Sequence, residues 1–132
     1  MGNNKKNPRY NIDFGRKGEL IAADYLRDKG YTILNTNYSC RFGELDIVAL
    51  DGEVLCFVEV KSRTSLMYGL PCEAVTAGKI RRIQRCAFYY MNNLKRNNGD
   101  INYSDIRIEI IELLFLDGRE YIRHIKHGIG AA

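Results

Sequence analysis

Asp46, Glu59 and Lys61 stand in GELDIVALDGEVLCFVEVKSR, residues 43–63, a stretch otherwise dominated by Val, Ile, Leu and Phe. Ionised side chains taken out of water are costly unless paired or bound to a metal, so their presence here calls for a reason. Asp51-Gly52 between two apolar runs signals a tight hairpin. Because side chains alternate across a strand, a two-residue Asp51-Gly52 loop sets Leu50 opposite Glu53, Val48 opposite Leu55, Asp46 opposite Phe57 and Glu44 opposite Glu59. Asp46, Glu59 and Lys61 then share one face with Glu44 and Arg63. The other face, from Leu45, Ile47 and Ala49 to Val54, Cys56, Val58 and Val60, is wholly apolar and must be buried.

Like charges opposed across a strand pair destabilise it, and three acids around one lysine leave an excess of negative charge. A divalent cation resolves that excess, and carboxylate oxygens suit Mg²⁺ or Mn²⁺. Such an ion acidifies water and stabilises charge on a phosphoryl oxygen, while Lys61 can position or help activate the attacking water. With nucleic acid as substrate, this chemistry is phosphodiester hydrolysis. The same residues also allow a self-neutralising network of Asp46, Glu59, Lys61 and Arg63 at the sheet's edge, since Glu-x-Lys is common in strands. The hairpin alone leaves both readings open.

The elements that must position these groups follow from local signals. Asp13 is expected to cap a helix ending near Lys29, with Gly30 as its stop. Its apolar stripe is Phe14, Ile21, Ala22, Tyr25 and Leu26, and Glu19 lies at the stripe's border, pointing toward the covered side. YTILNTNYS forms a first strand, followed by the hairpin, and SRTSLMYGLP reads as a loop. Thr76 caps a second helix reaching about Leu94, with Ile80, Ile83, Ala87, Tyr90 and Leu94 at helical spacing. Its other faces carry Lys79, Arg81, Arg82, Arg85, Lys95 and Arg96, which can meet phosphates or simply face solvent. SDIRIEIIELLFL and REYIRHIKH are two further strands around an Asp117-Gly118 turn. The order α-β-β-β-α-β-β predicts an α/β (α+β) fold, a mixed central sheet flanked by helices. Residues 1–12 read as a flexible polar arm and 13–132 as a single domain.

The 132 residues carry 45% apolar and 27% charged side chains, a globular balance, with a net charge of +4 that suits an anionic partner. No apolar stretch approaches the roughly 20 residues a membrane-spanning helix needs. The polar start MGNNKKNPRY has no secretory signal's apolar core. Cys40, Cys56, Cys72 and Cys86 are widely spaced, without a CxxC pair. They fit reduced thiols in a cytoplasmic protein better than a zinc site.

Four blocks in this order resemble the YraN-like proteins, a bacterial family similar to the PD-(D/E)xK nuclease superfamily and close to archaeal Holliday-junction resolvases. They are GRKGELIAADYLRDKGYTIL, RFGELDIVA, FVEVKSR and YGLPCEAVTAGKIRRI, spanning most of the stretch from Phe14 to Ile111. The resemblance implies a restriction-endonuclease-like core. It assigns Asp46, Glu59 and Lys61 to catalysis, and Glu19, Asp46 and Glu59 to an Mg²⁺ or Mn²⁺ ion. Arg16, Arg41, Arg63, Lys79 and Arg82 become candidate nucleic-acid contacts. In the strand after the second helix, Tyr103-Ser104-Asp105 stands where the family usually has an Arg-Phe-Asp-like triplet, and no catalytic role is attached to it. The implied function is a cytoplasmic nuclease acting on DNA, branched or structured DNA included, with RNA not excluded and no membrane partner. Symmetric cleavage of two strands would need a homodimer. The rival expectation is a non-catalytic nuclease-fold module that binds DNA or a protein.

Overall fold

The computed structural model describes residues 8–63, 76–96 and 101–128. Its elements are α1 (Pro8–Asp28), β1 (Thr32–Cys40), β2 (Gly43–Asp51), β3 (Val54–Arg63), α2 (Ala77–Arg96), β4 (Asp105–Leu116) and β5 (Arg119–Gly128). The five strands make one sheet in the order β1-β2-β3-β4-β5. Every neighbouring pair is antiparallel except β3 and β4, which are parallel. That parallel pair requires a long crossover, which contains α2. The result is the expected α+β, restriction-endonuclease-like arrangement.

Local chemistry explains most boundaries. Gly30, at φ +94°, closes α1, with the Tyr31 amide donating to the Leu26 carbonyl and the Gly30 amide to Arg27, a glycine-stopped helix end. The Thr76 hydroxyl accepts from the Lys79 amide at 3.1 Å, the expected cap of α2. At the other end of α1 the helix begins at Pro8, so Asp13 lies within it rather than at its cap. Proline is well suited to a first helical turn because its missing amide hydrogen would have no intrahelical partner. Residues 8–12 of the expected arm are helical. Residues 1–7, and the expected loop from residue 64 onward, lie outside the described residues.

Alternation along β3 divides the interior in two. Cys56 and Val58 pack with Ala22, Ala23 and Leu26 beneath α1. Leu55 and Phe57 pack with Ile83, Cys86, Ala87 and Tyr90 beneath α2. The helices therefore cover opposite faces of the sheet. A β-carbon on Gly18 would collide with Ser62 Oγ, so glycine lets α1 lie close to the end of β3.

The hairpin register differs from the expected one by two residues. Asp51 pairs with Val54, Leu50 with Leu55 and Val48 with Phe57, leaving Gly52-Glu53 as the loop. Gly52 takes φ +62° at the first loop position, where glycine is favoured in type II′ hairpins. Asp51 is thereby kept in the sheet, where its carboxylate meets Arg107 Nη2 at 2.6 Å.

Candidate metal site

Beyond Ile47 and Val58 the pairing of β2 with β3 stops. At this fork Val60 donates its amide hydrogen to Asp46 Oδ2 at 2.8 Å; a side chain takes the place of the next backbone acceptor. Leu45 packs with the α2 cluster and Ile47 with the α1 cluster, although they are two residues apart. Strict alternation therefore slips at Asp46. Its carboxylate turns toward α1 and meets Glu19 and Glu44, the three offering oxygens all within 4.8 Å of one another.

Glu19 reaches this place because it lies three, four and seven residues before the buried Ala22, Ala23 and Leu26, on the helix face that looks at the sheet. Glu44 accepts from Ser39 Oγ at 3.3 Å on the neighbouring strand. Burial is the main cause that pushes Asp46 up to about 7, with the charges of Glu59, Glu19 and Glu44 adding to it against the Val60 hydrogen bond. Glu19 is raised too, by burial first, and the Glu44 charge adds to it while a hydrogen bond with Asn37 and the charge of Arg16 oppose it. Burial thus disfavours the charged forms of Asp46 and Glu19. Three carboxylates of this kind fit a hard divalent cation such as Mg²⁺ or Mn²⁺.

Glu59 faces the other way. Only 9% exposed, it meets Lys79 Nζ at 2.8 Å and Arg82 Nη2 at 3.0 Å, both from α2. The structure thus brings Glu19 and Asp46 together with Glu44, and gives Glu59 two cationic partners of its own. The expectation that Asp46 and Glu59 share a face does not hold, because the slip at Asp46 reverses one of them. They remain close enough for the Glu59 charge to act on Asp46.

Lys61 is exposed at the same end of β3 and registers with Glu112 of β4. Glu112 is a buried acid whose carboxylate lies 3.9 Å from Arg63 Nε. Burial raises its pKa, opposed by the charges of Arg63, Arg123, Lys79 and Lys61. Glu112 is marked in the sequence only by spacing: Glu109 and Glu112 are three apart in an apolar strand, so each must face a different side of the sheet. Among the other basic candidates, Arg16 is exposed one turn before Glu19, and Arg41 stacks over Phe42 in the β1–β2 turn.

Comparison with known proteins places this sequence among relatives. The sequence profile of "Uncharacterised protein family UPF0102" matches residues 18–113. A UPF0102 protein of Clostridium kluyveri is 42% identical over 106 residues, covering 80% of this chain and 83% of the relative. One from Renibacterium salmoninarum is 42% identical over 123 residues, covering 92% and 99%. One from Chlorobium chlorochromatii is 50% identical over 84 residues, covering 64% and 65%. The matched segment contains Glu19, Glu44, Asp46, Glu59, Lys61 and Glu112.

Proposed function

The chain belongs to the UPF0102 (YraN-like) family, and from that premise we propose that it is a divalent-metal-dependent nuclease hydrolysing phosphodiester bonds in DNA. The observation that carries this reading is the convergence of Glu19, Glu44 and Asp46 within 4.8 Å at the β2–β3 fork. These three would hold Mg²⁺ or Mn²⁺, with Glu59 next to them. When bound, the ion supplies acidified water and charge stabilisation at a phosphoryl oxygen. Burial raises Asp46 to about 7, so holding a cation there would favour its ionised form. Lys61, exposed beside the fork, donates hydrogen bonds to a phosphate oxygen or to the attacking water. Arg16, Arg41, Arg63, Lys79 and Arg82 contribute charge toward the phosphate backbone.

Cytoplasmic location belongs to the same proposal. Cys40, Cys56 and Cys86 are free thiols, and among the described residues no helix is long and apolar enough to cross a membrane. Cleaving two strands symmetrically calls for a homodimer. A second reading, a non-catalytic nuclease-fold module binding DNA or a protein, draws on the ion pairs that occupy Glu59.

The test is calorimetric titration of Mn²⁺ and Mg²⁺ into the wild type and into Glu19→Gln/Asp46→Asn, both checked for folding by circular dichroism. Binding by the wild type alone, followed by metal-dependent cleavage in a screen of duplex, branched and single-stranded DNA and RNA, supports the nuclease. Metal binding without cleavage of any substrate favours the module. A folded wild type that binds no ion, with or without DNA, overturns the metal site.

A further inference from the structure

Two residues before Glu44, the β1–β2 turn presents an aromatic ring to solvent. Phe42 is 41% exposed, and across from it on α2 Tyr89 is 38% exposed. Their ring centroids are 6.3 Å apart at an interplanar angle of 72°. The Arg41 guanidinium lies 5.5 Å from the Phe42 centroid. On α2, Arg82, Arg85 and Tyr89 fall at i, i+3 and i+7, which places them along one stripe of the helix. Arg82 opens that stripe at Glu59 and passes beside Gly43 of the same turn. Charge and aromatic surface therefore run together from the fork outward.

From this arrangement we infer that Arg41, Phe42, Arg85 and Tyr89 form a binding surface for unpaired nucleotides, continuous with the acid site. The inference rests on the nuclease reading in taking nucleic acid as the ligand, and adds the substrate class. Exposed rings offer flat apolar area that a base can stack on, and guanidinium groups beside them can take the phosphates. A duplex keeps its base faces stacked inside, so it presents phosphates to the arginines but nothing to the rings. The partner that uses both halves is a strand with unstacked bases. Every base has a face that can stack on a ring, so binding is tolerant of sequence.

Fluorescence anisotropy tests this with a labelled mixed-sequence single strand and the same strand annealed to its complement. Both are measured in a chelator, so that neither metal binding nor cleavage is needed. The wild type should prefer the single strand. Phe42→Ala and Tyr89→Ala should each weaken single-strand binding about tenfold or more and leave duplex binding unchanged, whereas Phe42→Trp should retain the preference. Equal affinity for both forms, or equal losses on both, overturns the surface. So does concentration-dependent self-association that Phe42→Ala abolishes, which would make a second copy the occupant. Because the assay is metal-free, it can fail while Mn²⁺ titration succeeds, and the reverse.

Discussion

The amide of Val60, between Glu59 and Lys61, donates to Asp46 Oδ2 at 2.8 Å. One hydrogen bond thus ties the aspartate of β2 to the Glu-x-Lys segment of β3 where the two strands have ceased to pair. It fixes the carboxylate's position without neutralising it.

The first prediction concerns Asp46 and pH. Its folded pKa, about 7, exceeds its ordinary value of 3.8. Its contribution to stability is therefore complete below about pH 4 and lost as pH rises through about 7. Without divalent ions, denaturation midpoints should fall over that window more steeply in the wild type than in Asp46→Asn, which keeps an acceptor for Val60. Mn²⁺ affinity should run the opposite way, rising up to about tenfold per pH unit below 7 because one proton must leave.

Glu59 gives the second. Lys79→Ala should destabilise the metal-free protein by about 1–2 kcal/mol, since it strips a partner from a buried carboxylate. Arg82→Ala should cost less, because its side chain is 42% exposed and solvent screens the pair. Adding Glu59→Gln should remove most of either penalty, read by urea denaturation as a double-mutant cycle.

A third follows from Glu109, which is 0% exposed. Tyr31 Oη donates to its Oε1 at 2.9 Å, where His124 Nε2 also meets it, and Arg107 Nε donates to Oε2 at 2.7 Å. Burial pushes its pKa up, but hydrogen bonds from His124, Cys56, Arg107 and Tyr31 outweigh that and hold it at about 2. Its stabilisation is thus present above about pH 4.5 and lost as pH falls through about 2. Glu109→Gln should cost about 3 kcal/mol or more, a drop in Tm on the order of 10 °C, and should flatten the acid limb of the stability curve.

Lys61 and Glu112 separate chemistry from folding. Lys61→Ala should slow single-turnover cleavage about 100-fold with an unchanged Tm, since the side chain is exposed. Glu112→Gln should slow it by a smaller factor while leaving the protein no less stable at pH 7, because burial disfavours its charge. A loss of stability equal to the loss of rate would make Glu112 structural instead.

Local signals carried the elements into view: Gly30 and Thr76 end and begin helices by hydrogen bonds within a few residues of themselves. The two sides of β3 were equally legible, because moving the hairpin register by two residues preserves the parity of every side chain. The slip at Asp46 was not legible. It depends on Leu45 and Ile47 choosing different cores, a packing outcome without a sequence mark. Nor could the hairpin disclose Glu112, which comes into register with Lys61 through a parallel pairing across some fifty residues. Glu19 is visible in the sequence as a misplaced acid, whereas nothing in the strand pattern distinguishes Glu44 as its partner.

The parallel joint between β3 and β4 also orders events in time. Glu19, Glu44, Asp46 and Glu59 all precede it in the chain, on elements linked by short turns. Non-local pairings form late because loop closure must come first. An emerging chain can therefore gather its acids before Lys79 and Arg82 exist to pair with Glu59. For that interval Glu59 lacks its cationic partners and β3 has an open edge, and docking of the second half both closes the edge and supplies Lys79 and Arg82.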